Sequence, residues 1–448
     1  MRYQHGQYAL GNMGKASVAT LFDYFALFYL TDVLGIPALI AGNLILISLV
    51  WDGLTDPWIA ILIDKLRKRF STVKLYFLVG SPCTAIAAFS FFNAHRVTED
   101  YVLLYTTVVL LIYRTVYTIV DVPHNSLLSF IATEARQRTK IAAMRIFFSS
   151  LGRFLVTAMS VDFLVNDSMP AMQASFSNAA LMFSILFLLI MAVCLNAVKQ
   201  VSIVHSKESL TEFKFFDLFK LLWLNKAVLL VFFITAVTSV TTHALGSGII
   251  YFAKYALLDE SKGGVALTIL SFSQAIFLVM WVYCANDFLN VWKASVLANS
   301  ILIVTLIAAL LGITSNFHLY IFCFFAGAAL SGIYMFNWVL LPMAIDQFPQ
   351  ANRRRYDMSI FGFYTLTNKV CHGLSLAFVG WILQFNDYVA DSRLAEESID
   401  DVFFTILLLP LVGSIICIWL LNKFGKISSN QTNGNNIDED KPNKDNDP

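Results

Sequence analysis

The sequence predicts an all-α polytopic membrane protein, with twelve transmembrane helices in two six-helix bundles and both termini in the cytoplasm. Three observations predict it: the composition, the number of long apolar runs, and the placement of lysine and arginine. Of 448 residues, 58% are hydrophobic and 14% are charged, against about 25% charged in an ordinary soluble domain. The mean hydropathy is +0.68. A soluble fold of this length has too little interior to hide so much apolar surface. Disordered chains are polar and charge-rich, which excludes disorder for the bulk of the chain. A net charge of +1 without a large basic patch argues against a nucleic-acid partner.

A transmembrane helix needs about 20 mostly apolar residues. About twelve such runs are present. The first six are near 9–31, 36–63, 73–93, 102–130, 141–165 and 176–198. The second six are near 227–253, 263–286, 294–314, 318–345, 358–385 and 402–422. They are too continuously apolar for surface helices of a soluble fold. An outer-membrane barrel would instead show alternating segments of about ten residues.

With a cytoplasmic N-terminus, 22 of the 31 basic residues fall in inside segments, four outside and five within helices. The inside set includes Lys65, Arg67, Lys68, Arg69, Arg136, Arg138, Lys140 and Arg353–Arg355; the outside set is Arg96, Lys254, Lys262 and Arg393. This asymmetry orients the chain. Residues 1–198 form the first bundle, 199–226 a basic cytoplasmic loop with an amphipathic stretch near 213–223, and 227–424 the second bundle. The Asn/Asp/Lys-rich tail, 425–448, reads as disordered. The six cysteines lie in apolar runs without metal-type spacing and read as small hydrophobes. No cleavable signal peptide is recognised, as expected of an inner or plasma membrane protein.

A charge at the centre of a membrane helix costs about 2.5–3.5 kcal/mol on insertion scales, so the buried charges are the informative residues. Helix 1 carries Lys15 and Asp23, helix 2 Asp52 and Asp56, helix 4 Arg114 and Asp121, helix 5 Arg145 and Arg153, and helix 11 Lys369. Asp52 and Asp56 are four apart and share one face, with Thr55 beside them. Two carboxylates one turn apart repel unless a cation or proton lies between them. Oxygen-only ligation suits a small hard cation such as Na⁺; the plainer alternative is an interhelical salt bridge. Arg114, Thr118 and Asp121 form one stripe on helix 4, and a bend is expected at Pro123. Thr365, Lys369 and His372 form another on helix 11. His372 and His243 read more readily as hydrogen-bonded core histidines than as proton carriers.

These residues sit in recognisable segments. Tyr29-Leu30-Thr31-Asp32-Val33-Leu34-Gly35, Trp51-Asp52-Gly53-Leu54-Thr55-Asp56-Pro57, Tyr117-Thr118-Ile119-Val120-Asp121-Val122-Pro123 and Glu134-Ala135-Arg136-Gln137-Arg138 occur in order along the first half. Together they resemble the melibiose-permease family, the glycoside-pentoside-hexuronide:cation symporters of the major facilitator superfamily. The resemblance covers nearly all the membrane region and is stronger in the first half. It implies the major facilitator fold and Na⁺, Li⁺ or H⁺ symport by alternating access, with no enzyme activity and no cofactor beyond the coupling ion. It implies that Asp52, Asp56 and Thr118 bind the cation, that Asp121 and Arg145 touch the sugar, and that Lys369 stands near the cation site. A monomer in the bilayer is expected.

Three positions depart from the family pattern. The acid that follows the helix 1 lysine is Ala16, the aromatic residue two after the helix 4 proline is Asn125, and the asparagine between the helix 2 acids is Thr55. A compensation is expected from Asp23 and Arg114. Asp23 lies seven residues beyond Ala16 and Arg114 seven before Asp121, each about 10 Å outward, so the two are expected to face each other across the cavity as a substrate site or a structural ion pair. Arg153 lies about 80° round helix 5 from Arg145. If Arg114, Arg145 and Arg153 all line the cavity, an anionic hexuronide fits.

Besides sugar symport, the 39 phenylalanines leave room for a lysolipid or other amphiphile carrier. A non-transporting sensor ranks lower. A membrane enzyme finds no HExxH, GxSxG or histidine cluster to support it.

Overall fold

The structure is a computed structural model that describes residues 2–67, 74–131, 135–164, 168–198, 225–255, 260–285, 289–313, 315–345, 350–386 and 396–439. Most of the predicted central loop and the residues after 439 lie outside these. All regular structure among the described residues is helical. Helix α1 (Arg2–Thr20) is followed by α2 (Ala38–Arg67), α3 (Lys74–Phe91), α4 (Glu99–Ile131), α5 (Ala135–Leu164) and α6 (Met169–Val198). The second half has α7 in two pieces (Lys226–Thr242 and Ala244–Tyr255), α8 (Glu260–Tyr283), α9 (Val291–Leu310), α10 (Asn316–Ile345), α11 (Gln350–Phe385) and α12 (Glu396–Glu439).

Ten helices are long and apolar enough to cross a membrane among the described residues. The two that are not, α5 and α11, carry Arg145, Arg153 and Lys369, so the charges that mark the candidate site also lower their hydropathy. In hydrocarbon every backbone polar group must be satisfied within its own segment, which is why continuous apolar runs become helices. Pro82, Pro123, Pro342 and Pro410 sit inside helices without ending them, as packed membrane helices tolerate. The last helix runs to Glu439 instead of stopping near 422, so part of the tail expected to be disordered is helical. Its first proline, Pro442, comes only after that stretch.

Helix α1 does not stay α-helical. Leu21–Phe25 and Tyr29–Val33 are π-helical turns on either side of Ala26–Phe28. Each π-turn places an acid, Asp23 or Asp32, off the face that a regular 3.6-residue period assigns to it. Such turns are frequent at functional sites.

Two groups of helices pack internally. In the first, α1 lies against α5 and α6, and α4 against α2 and α3; in the second, α10 lies against α8 and α9, and α12 against α7 and α9. The groups meet mainly along α2–α11 and α5–α8. The α2–α11 contact is made close by glycine. A Cβ on Gly380 would stand 2.5 Å from the Ala38 carbonyl oxygen, and one on Gly42 would stand 3.0 Å from that of Ala377. Small residues allow this approach where lipid provides no hydrophobic driving force between helices. Trp381 Nε1 donates to Asn43 Oδ1 at 2.9 Å beside it. In the other interface, Thr268 Oγ1 on α8 donates to the Thr157 carbonyl on α5 at 2.7 Å.

Gly380→Leu is expected to force α2 and α11 apart, at about 1–3 kcal/mol for overpacking. In a cysteine-free background with Asn43→Cys, thiol labelling should rise several-fold over the same protein with Gly380; unchanged labelling would show that the helices do not need this approach.

Candidate functional site

At mid-length on α2 and α4, Asp52 and Asp56 converge on Thr118. The Thr118 hydroxyl lies 2.9 Å from Asp52 Oδ1, 2.9 Å from Asp56 Oδ1 and 3.1 Å from the Arg114 carbonyl oxygen. A hydroxyl has one hydrogen, so three acceptor oxygens compete for it, and the cluster holds more acceptors than hydrogens. From the other half, Lys369 on α11 completes it. Its ammonium is 3.0 Å from Asp52 Oδ2 and in direct contact with Asp56 Oδ2. Two carboxylates and one ammonium leave one negative charge uncompensated among oxygen donors, which is the chemistry a proton or small hard cation satisfies. Asp52 is almost fully buried.

Thr55 and Thr365 do not join this cluster. The Thr55 hydroxyl returns to the Asp52 carbonyl at 3.2 Å and that of Thr365 to the Gly362 carbonyl at 2.8 Å. Both positions share a face with an acid or with Lys369 by periodicity, but a helical threonine readily bonds its own preceding turn.

Asp121, Asn125 and Arg145 come together around a residue not assigned to the site from sequence, Lys15. Lys15 Nζ is 2.6 Å from Asp121 Oδ1 and 3.2 Å from Asn125 Oδ1. Asn125 Nδ2 donates to Asp121 Oδ2 at 2.7 Å, and Arg145 Nη2 donates to Asn125 Oδ1. Arg145 Nε also reaches Asn12 Oδ1 at 3.3 Å, and its guanidinium stands 5.6 Å from the Tyr8 ring centroid. The network is largely self-satisfied. Ala16 places no acid beside Lys15, and Asp121 is shared between Lys15 and Asn125. A membrane-buried lysine two turns from the nearest helix 1 acid was the available sequence signal.

Two cavities lie beside these networks. One, of about 260 Å³, is walled by Lys15, Ala16, Tyr117, Asp121 and Asn125. The other, of about 230 Å³, is walled largely by the second half, including His243, Gln274, Asn337 and His372. Thr20, Asp23 and Arg153 line both.

Asp23 and Arg114 form no ion pair among the described residues, which corrects the structural ion-pair alternative. Arg114 is buried with its guanidinium 6.0 and 5.8 Å from the Phe22 and Tyr113 ring centroids. The seven-residue spacing assumed a regular helix, whereas the Leu21–Phe25 π-turn alters the register. Of the three arginines considered for an anionic substrate, Arg153 is the one that lines these cavities.

His243 and His372 stack at 4.0 Å between centroids. His243 Nδ1 lies 3.0 Å from the Ser239 carbonyl oxygen, an acceptor that places the proton on Nδ1. Sequence separation hid this pairing.

One end of the cavity region is sealed. Lys254 Nζ on α7 is 2.7 Å from Asp32 Oδ1 on the second π-turn, both side chains being buried. Beside them the Thr31 and Tyr251 hydroxyls are 2.8 Å apart. At the opposite end Asn125 is exposed at the rim.

Helices in two groups, a polar cavity between them and a charge cluster bridged across the groups are the architecture of a membrane transporter. The chain belongs to the MFS/sugar transport protein family, which it matches over residues 7–425. It is 26% identical over 431 residues to a Bacillus subtilis protein named uncharacterized symporter YnaJ, covering 94% of this chain and 90% of that one. It is 22% identical over 424 residues to the isoprimeverose transporter of Lactiplantibacillus pentosus, covering 91% and 85%. The crystal structure of the nucleoside transporter NupG shares the fold, with a TM-score of 0.68, 12% identity and coverage of 95% of this chain and 100% of that one.

Removing one partner of a buried ion pair costs about 3–5 kcal/mol because the other charge is left behind. Lys254→Ala should therefore lower the thermal stability of the purified protein markedly, and Asp32→Asn with Lys254→Gln should restore most of it. Additive losses in that double-mutant cycle would show that the pair does not couple the two halves.

Proposed function

We propose that the protein is a secondary active transporter that couples Na⁺ or H⁺ to the symport of a sugar, glycoside or hexuronide by alternating access. The observation that carries this reading is Lys369, which reaches from the second half to Asp52 and Asp56 of the first. A cation arriving between the two acids competes with the ammonium for the same oxygens. Occupancy of the acids is thereby tied to the contact between the halves, and that is what coupling requires. Thr118 supplies a further oxygen.

Lysine and arginine asymmetry puts the termini in the cytoplasm. In that orientation the Asp32–Lys254 end faces outward and the Asn125 rim faces the cytoplasm, so the conformation is inward-facing. The sugar class is supported by the family's description and by the cargo in the name of the Lactiplantibacillus relative. The polar cavity walls favour it over a lysolipid.

Asp52→Asn and Asp56→Asn should each reduce cation-driven accumulation of isoprimeverose in membrane vesicles by about 100-fold, equivalent to about 2.7 kcal/mol. Accumulation that survives both changes would refute the cation site.

Lys369→Ala removes the competing ammonium. It should tighten Na⁺ binding, or raise the pH at which a proton is held, by about tenfold or more, while accumulation is lost. Titration of tryptophan fluorescence with Na⁺ at fixed pH, and with pH in the absence of Na⁺, reads the two cases. Unchanged affinity in both would mean that Lys369 does not occupy the coupling site.

A further inference from the structure

Asp23 and Arg114 are opposite charges that the structure holds near each other without joining them. Arg114 is only 7% exposed, and its Nε has no hydrogen-bond partner among the described residues. Its guanidinium rests near Phe22 and Tyr113, whose rings stack at 3.8 Å between centroids. Phe22 is the residue before Asp23 on the first π-turn. The Asp23 carboxylate lines both cavities and has no ion pair among the described residues. Four charged or titratable groups act on it: Arg114 most strongly, then His243, Arg153 and Asp52. Buried charges without a contact partner are costly, so the two are held by each other's field and not by contact.

A second observation lies in the backbone. The Arg114 carbonyl oxygen is 3.1 Å from the Thr118 hydroxyl and competes with Asp52 and Asp56 for its one hydrogen. Arg114 and Thr118 are one turn apart on the same face of α4, which sets their β-carbons about 5–6 Å apart. Arg114 therefore belongs to the cation cluster through its main chain and to the surroundings of Asp23 through its side chain.

Resting on the symporter reading above, we propose that Arg114 is a positioning residue that sets the cation affinity of the Asp52–Asp56 site, and that Asp23 controls Arg114 from the cavity. The Arg114 charge opposes a cation beside Thr118. Asp23 attracts the guanidinium and offsets that opposition. A change in the charge of Asp23, or in what it contacts, is then read at the cation site through Arg114. Direct action of Asp23 on the site is the weaker route, because Asp52 is the last of the four groups in strength and Arg114 the first. The side chain has the freedom this needs: a guanidinium carries five N–H donors in a planar fork, and the Nε of Arg114 is uncommitted. The family resemblance places neither residue at the cation site.

The test is a double-mutant cycle on the full-length purified protein, read as cation affinity by tryptophan fluorescence with no sugar present. Na⁺ is titrated at fixed pH, and pH is titrated without Na⁺; the response that Asp52→Asn abolishes is the one followed. Arg114→Gln should tighten the cation at least fivefold, and Asp23→Asn should weaken it at least fivefold. In the Arg114→Gln background, Asp23→Asn should change affinity by less than twofold. Arg114→Lys keeps the charge and should keep most of the Asp23 effect. A packing defect would lower thermal stability in both single variants and would not give affinity changes of opposite sign. An Asp23→Asn effect of equal size with and without Arg114, or Asp23→Asn alone with wild-type affinity, would overturn the proposal and leave the Asp52–Asp56 site standing. A wild-type protein with no cation response that Asp52→Asn abolishes would overturn both.

Discussion

Charge compensation inside a low-dielectric bundle is the constraint on which the rest of the structure depends. Asp52, Asp56 and Lys369 are costly alone in a bilayer, and the protein resolves this by bringing them together across two halves. The contact therefore does two things. It stabilises the groups in place, and it makes the α2–α11 packing sensitive to anything that competes with the ammonium. Gly42 and Gly380 let the helices approach further along the same interface, so the charged cluster is bounded on one side by a close backbone contact. The Asp32–Lys254 pair repeats the device nearer the end of α1.

The second charged network behaves differently. Lys15, Asp121 and Asn125 line the cavity of about 260 Å³ and bond one another, and Arg145 joins them through Asn125. The change from an acid to Ala16 on α1 and from an aromatic ring to Asn125 on α4 alters both partners of that arrangement at once. Lys15 is left with a single carboxylate, and Asn125 bridges to Arg145. Asp23 and Arg153 line both cavities, and the Gln274 and Asn337 side chains of the second half line one of them. The π-turn at Leu21–Phe25 is part of this change, since it sets where Asp23 points.

Sequence reasoning reached the Asp52–Asp56–Thr118–Lys369 grouping because each member is a polar residue on an otherwise apolar helix, and membrane insertion makes such residues conspicuous. It did less well wherever the position depended on helix regularity. Asp23 was placed by counting sevens along α1, and the π-turn invalidates the count. Thr55 and Thr365 lie on the expected stripes, yet their hydroxyls turn back to the backbone, a choice that periodicity does not record. The Gln274 and Asn337 amides were overlooked because neutral polar residues carry a smaller insertion penalty than charges and stand out less.

By itself the sequence determined the all-helical membrane class, the position of most spans and the acids that cluster on α2. Hydropathy and lysine placement act locally along the chain, so a linear reading recovers them. Only the tertiary structure fixed the contact geometry of Lys369 with the α2 acids and decided that Lys15 meets Asp121, Lys254 meets Asp32, and His243 meets His372. Those contacts join residues from about 100 to more than 300 positions apart, and their geometry follows from helix packing and from π-turns that no periodic pattern announces.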